Sequence, residues 1–183
     1  MGLFKRKKQE EFMETSEVIK DIKRKIPEYK GYRDLEDRLE TDKQFRSYIV
    51  KQLKDISNDF AEIVGKLIEV RMLNAWGTCD KILKEIKEIE KKVRAPDYRH
   101  TTFFENPRLE GLDISVIYIL ESEAFKILDD IKVIGEEILG YLREANYENI
   151  DQLISQVFQL TNNLIKLLND RIELIASFEI IGF

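Results

Sequence analysis

Apolar side chains recur at steps of three and four residues along most of the chain. Two series lie in the second half, from Ile117 to Tyr141 and from Leu153 to Phe178. The clearest series lies in the first half and consists of Ile49, Leu53, Ile56, Phe60, Ile63, Leu67 and Val70. Because such heptad positions fall on one face of a helix, each series predicts a long α-helix.

Proline, glycine and asparagine mark the expected helix ends. A short helix is predicted from Ser16 up to Pro27, whose ring interrupts a helix. Residues 33–93 are predicted to form either one bent helix or two helices, and we favour a break near Gly77. The pair Ala145-Asn146 is expected to close the penultimate helix, and Asn149 to cap the last one.

Further apolar residues widen the predicted faces beyond a two-stranded seam. Leu128 and Leu139 lie beside the second series, and Phe158 and Leu168 beside the third. A helix with so broad an apolar face contacts two neighbours. The sequence therefore predicts an all-α fold, an antiparallel bundle of four or five helices with coiled-coil-like heptad packing. Residues 15–183 would form one bundle domain, with residues 94–109 as an aromatic-rich connecting loop.

Composition narrows the functional classes. The chain has 183 residues, of which 36% are charged, with only eight Gly and three Pro. A net charge of −5 argues against a dedicated nucleic-acid binder. The lone Cys79 excludes an internal disulfide and is predicted to lie in the core. The abundance of Lys and Glu is typical of a thermophilic, for example archaeal, protein.

The N-terminus is basic and lacks the apolar core of a secretory signal, so we expect a cytoplasmic protein. Residues 1–14 are predicted to form a charged, disordered tail. The alternative is peripheral contact with an anionic membrane, because basic residues near a lipid surface each contribute about 1 kcal/mol. The residues that would make this contact are Leu3, Phe4, Lys5, Arg6, Lys7 and Lys8.

No catalytic motif emerges from the residue spacings. His100 is the only histidine, so the chain cannot supply the paired histidines of a di-iron bundle or a zinc hydrolase. One alternative is a metal-dependent all-α nucleotide pyrophosphatase, in which an ExxE and an ExxD hold Mg²⁺ between helices. The matching residues are Glu85, Glu88, Glu110 and Asp113. Such spacings arise by chance among 35 acidic residues, so we expect no cofactor and no enzymatic activity.

The aromatic-rich loop is the best candidate for an interaction surface. Connections of this length are uncommon unless they are functional or disordered. The alternative is that its aromatic side chains plug the end of the bundle. Its candidate residues are Arg94, Tyr98, Arg99, His100, Phe103, Phe104 and Arg108. Arg171 occupies a seam position, where we expect it to pair with an acid of a neighbouring helix.

The charged stretch GYRDLEDRLETDKQFR, residues 31–46, raises the possibility of a carboxylate site. Its spacing instead favours a solvated helix face, because Arg38 and Asp42, and Asp42 and Arg46, are four residues apart. Whether Arg38 and Asp42 face water or hold the aromatic loop remains open at this point. The residues of this cluster are Tyr32, Glu36, Arg38, Asp42 and Arg46.

The same stretch resembles the GY…EDR…TDK..R signature of an uncharacterised family of archaeal and bacterial helical proteins. Leu112-Asp113, Ile117-Tyr118 and Glu121 match a later motif of that family, whereas Leu39 departs from it. The resemblance implies a scaffold or adaptor linked to membrane-stress proteins of the phage-shock type. We therefore expect a non-enzymatic interaction or scaffold protein that binds a protein partner or a second copy of itself.

Overall fold

The computed structural model describes residues 16–107 and 111–178. These residues form α1 (residues 16–25), α2 (Leu35–Glu69), α3 (Leu73–Arg94), α4 (Gly111–Arg143) and α5 (Ile150–Ala176), and no strand occurs among them. The predicted all-α class is therefore confirmed. The tail predicted for residues 1–14, with its membrane-contact candidates Leu3 to Lys8, lies outside the described residues.

Two of the predicted helix ends are confirmed, whereas Asn149 takes the position before α5 without a side-chain capping hydrogen bond. α1 ends before Pro27, and α4 ends at Arg143, two residues before Ala145 with its φ of 54°. The break expected near Gly77 lies instead at residues 70–72, so that location was wrong. Arg71 adopts a φ of 60° and donates its backbone N–H to the carbonyl oxygen of Ile68. This left-handed residue closes α2 in the way that glycine usually does.

Each of the four long helices packs against two others, as the broad apolar faces predicted. α2 contacts α3 and α4, and α5 also contacts α3 and α4. Three contacts join α2 to α4. Phe45 packs on Phe125, and Gln52 accepts a hydrogen bond from Lys132. Further along, Glu62 forms an ion pair with Arg143. Along these contacts the residue numbers of α2 and of α4 increase together, so the two helices run parallel.

The predicted heptad positions form much of the core. Ile49, Leu53, Ile56, Phe60, Ile63 and Leu67 are buried, as is Cys79. α1 adds Ile22 to this core, and its Lys25 pairs with Asp129 on α4. Burial of an apolar side chain contributes about 1.5–3 kcal/mol, so the continuous seam is the main source of stability.

Candidate functional site

Three charged side chains from three helices meet inside the bundle. Asp42 of α2, Glu121 of α4 and Arg171 of α5 are all buried. Nη2 of Arg171 lies 2.8 Å from Oδ1 of Asp42 and 2.8 Å from Oε1 of Glu121. The guanidinium carbon also lies 4.2 Å from the ring centroid of Phe45. We call Asp42, Glu121 and Arg171 the ionic centre. Arg171 thus pairs with acids of neighbouring elements, as predicted.

Tyrosine hydroxyls complete the hydrogen bonding of the ionic centre. Tyr29 and Tyr32 donate to the two carboxylate oxygens of Glu121, each at 2.5 Å. Tyr98 donates to Oδ1 of Asp42 at 2.7 Å. The Nε of Arg46, at the edge of the core, donates to the other oxygen of Asp42 at 2.7 Å. The acceptor atoms of both acids are therefore occupied by groups of the chain itself.

The pKa values of these groups follow from burial and from the neighbouring charges. Burial tends to raise the pKa of Asp42, but Arg171 and the hydrogen bonds from Tyr98 and Arg46 hold that pKa below its usual value. Burial dominates at Glu121 and raises its pKa, although Arg171 and the tyrosine hydroxyls oppose that rise. Asp42 and Arg171 therefore form an ion pair at neutral pH.

Arg38 fastens the aromatic-rich loop to the start of α2. Its Nε donates to the carbonyl oxygen of Tyr32 at 2.8 Å, and its Nη1 donates to the carbonyl oxygens of Phe103 and Asn106 at 2.9 and 2.6 Å. The loop is also tied to the end of α5, because the Thr102 N–H donates to the Phe178 carbonyl at 2.7 Å. Charge-assisted bonds to a buried guanidinium are among the stronger protein hydrogen bonds. Of the two alternatives that the sequence left open, Arg38 therefore holds the aromatic-rich loop and does not face water.

The prediction that the charged stretch forms a solvated helix face was wrong for its central residues. Arg38 and Asp42 are buried, and of the two predicted pairs that contain Asp42, the pair with Arg46 forms. The apolar periodicity of α2 explains this burial. Residues 38, 42, 45 and 49 recur at steps of four, three and four, so the seam of Phe45 and Ile49 continues backwards through them. Glu36 lies on the exposed face.

The loop candidates divide into buried aromatic and exposed charged side chains. Phe103 is fully buried, and Tyr98 and Phe104 are partly buried. The aromatic part of the loop therefore plugs the bundle, which was one of the two alternatives. The loop candidates that are exposed are Arg94, Arg99 and His100, whereas Arg108 lies outside the described residues.

Two of the four residues of the alternative metal site, Glu85 and Glu88, lie on α3. Glu88 is exposed on α3 and pairs with Lys91 at 2.7 Å, and Glu85 lies in the groove between α3 and α5. Glu110 lies outside the described residues, as does the side chain of Asp113. Within residues 16–107 and 111–178, no group of three or more potential ligands is placed to hold a metal ion.

The residue spacings did not identify three of the buried polar residues in and around the ionic centre, which we call the polar core. Glu121 and Tyr118 appeared only as parts of a family motif, and Tyr29 was not singled out. Tyr118 accepts the backbone N–H of Tyr32 at 2.6 Å. The available signal was a charged residue inside an apolar stripe, because Glu121 lies between Ile117 and Ala124 on the face of α4 that is buried.

Beyond the site, none of the helices in the described ranges is long and apolar enough to cross a membrane. Comparisons of this chain with protein-family models, with curated proteins and with solved structures found no match.

Proposed function

We propose that this protein is a non-enzymatic helical scaffold that presents its surface to other proteins. The observation that supports this most is the saturation of the ionic centre. The carboxylates of Asp42 and Glu121 accept hydrogen bonds from Arg171, Arg46 and tyrosine hydroxyls, and both are buried. A catalytic group must reach its substrate, whereas these groups bind the helices to one another.

The ionic centre favours one arrangement of the helices. A buried charge that has lost its partner costs about 3–5 kcal/mol. Any shift of α2, α4 or α5 along its axis would separate the charges of the ionic centre and is therefore disfavoured. We infer that α2 and α3, and α4 and α5, form antiparallel pairs with heptad packing. The three-residue connection at 70–72 and the hydrogen bond from Arg46 to the Arg94 carbonyl support the first pair. The contact of Arg171 with Glu121 supports the second.

A partner-binding surface is available at the loop end of the bundle. Arg99 and His100 are exposed there on the loop, which its buried aromatic residues anchor to the bundle, and Arg94 is exposed at the end of α3. A preorganised loop loses little conformational entropy on binding. We therefore place the protein-binding surface on these three side chains, in a protein that acts in the cytoplasm, where the partner is another protein or a second copy.

Site-specific crosslinking tests this surface. A photo-reactive residue at Arg99 should give a discrete crosslinked species in cells, and the same residue at the exposed Lys54 of α2 should not. Equal crosslinking at both positions, or at neither, contradicts the assignment.

Calorimetry separates the scaffold from the alternative hydrolase. Titration with Mg²⁺ and nucleoside triphosphates should give no binding heat. Micromolar binding that Glu85→Gln abolishes, and that Glu123→Gln on the exposed face of α4 leaves intact, would support the metal-dependent hydrolase instead.

A further inference from the structure

An open groove with an aliphatic floor lies between α3 and α5. Its volume is about 340 Å³, at the lower end of the range for small-molecule sites. Ile89 of α3, which is only 2% exposed, and the partly buried Ile165 of α5 line it. Glu85, Glu88 and Lys92 lie three or four residues from Ile89 and so share its face of α3. The groove therefore combines an apolar floor with charged groups at its walls. We call it the α3–α5 groove.

Glu85 contributes a carboxylate oxygen without a donor to the α3–α5 groove. Its Oε2 is buried and has no hydrogen-bond partner among the described residues. The other charged side chains that line the groove do have partners: Lys84 bonds to Asp80 at 2.6 Å, Glu88 to Lys91 at 2.7 Å and Lys92 to Asn169 at 3.4 Å. Glu85 is therefore the charged residue of the groove that can accept a hydrogen bond from a ligand without giving up another contact.

The chemistry of this oxygen selects the class of ligand. A buried acceptor without a donor is costly, and a charged donor compensates a carboxylate better than a neutral one does. A single oxygen matches the point charge of an ammonium group, whereas a guanidinium matches both oxygens of a carboxylate at once. A metal ion needs several oxygen ligands, and no group of three or more potential ligands occurs within residues 16–107 and 111–178. An ammonium group therefore fits Glu85 best.

We propose that the α3–α5 groove binds a linear primary aliphatic amine in its ammonium form. The ammonium group donates a hydrogen bond to Oε2 of Glu85, and the alkyl chain lies on Ile89 and Ile165. The aliphatic stems of Lys84 and Lys92 extend the apolar walls on either side of the chain. This inference goes beyond the scaffold function and does not rest on it.

Nuclear magnetic resonance of isoleucine methyl groups in the intact protein tests the ligand class. Hexylammonium should shift the methyl signals of Ile89 and Ile165, and hexanol should bind at least about tenfold more weakly because it lacks the charge. Hexanoate should cause no shift, because its carboxylate is repelled by Glu85. Butylammonium should bind about fourfold more weakly than hexylammonium, since each of the two missing CH₂ groups is half-buried and contributes about twofold. Equal binding of hexylammonium and hexanol overturns the proposal, as does an absence of shifts with hexylammonium.

Two matched variants test the role of Glu85. Glu85→Gln should weaken hexylammonium binding at least about tenfold, because the neutral amide gives up the charge-assisted hydrogen bond. The control Glu88→Gln makes the same change one turn further along α3, at an exposed side chain that already pairs with Lys91, and should bind within about twofold of the wild type. Unchanged binding by Glu85→Gln, or equal weakening by both variants, overturns the proposal.

A lysine side chain of another protein carries the same ammonium group as a free amine. The model compound Nα-acetyl-lysine N-methylamide distinguishes the two sources, because it presents that side chain joined to a peptide backbone. It should bind no more tightly than butylammonium, whose four-carbon chain it shares. Binding of the lysine compound that is tighter than that of hexylammonium would assign the groove to a protein partner and overturn the assignment to a free amine.

Discussion

Replacement of Arg171 by methionine removes the cation that faces both acids of the ionic centre. Removal of one partner from a buried ion pair costs about 3–5 kcal/mol. Asp42 keeps its bonds from Arg46 and Tyr98, and the raised pKa of Glu121 allows this acid to take up a proton. We therefore expect the lower end, a loss of about 3 kcal/mol. For a chain of this length each kcal/mol lowers the melting temperature by about 2–4 °C, so Arg171→Met should melt about 6–12 °C earlier.

Urea unfolding followed by circular dichroism measures this loss against a matched control. Lys166→Met makes the same change at an exposed position of α5 and should alter the unfolding free energy by less than about 0.5 kcal/mol. The double variant Arg171→Met with Glu121→Gln should recover part of the stability, because the neutral amide needs no cation. A loss below about 1 kcal/mol for Arg171→Met, or a double variant less stable than the sum of the two single changes, would refute the reasoning.

Three further predictions follow from the same residues. Gly31→Ala should destabilise the fold by about 1–3 kcal/mol, because Gly31 has a φ of 97° and a Cβ there would lie 2.7 Å from the Tyr118 hydroxyl. Gly140 lies on α4 with open space around it, so the control Gly140→Ala should stabilise the fold by about 0.5–1 kcal/mol in the same urea assay. Asp42→Asn should flatten the acid side of the stability–pH curve: the folded-state pKa of Asp42 is lowered, so its contribution is present above about pH 4 and lost as the pH falls through that lowered pKa. Phe103→Ala should cost about 3–5 kcal/mol by calorimetric melting, and an unchanged melting temperature would contradict its role as the plug.

The apolar periodicity predicted the helices because the seam is continuous in α2. The position of the break was missed because the turn between α2 and α3 uses Arg71 in a left-handed conformation, where sequence rules expect glycine. Gly77 attracted the prediction, yet it lies inside α3 and nothing lies within 4 Å of a Cβ placed there. A break that depends on a strained non-glycine residue leaves no local signal.

The polar core was less predictable because its partners are far apart in sequence. Asp42 meets Arg171 across 129 positions, and Tyr32 meets Glu121 across 89. The rule for residues four apart on a helix predicted the pair of Asp42 with Arg46, which forms, and the pair of Arg38 with Asp42, in which Arg38 bonds to backbone carbonyls instead. The backward continuation of the seam through Arg38 and Asp42 was visible in the sequence, but only tertiary contacts identify the groups that compensate a buried charge.

Nuclear magnetic resonance of arginine side chains tests the burial of Arg38 and Arg171 most directly. The Nε–H of Arg38 donates to the Tyr32 carbonyl and the Nε–H of Arg171 donates to Glu121, both inside the protein. At neutral pH both protons should exchange slowly with water and give sharp signals, whereas the exposed Arg99 should exchange rapidly. Exchange of the Arg38 and Arg171 protons as fast as that of Arg99 would contradict the account.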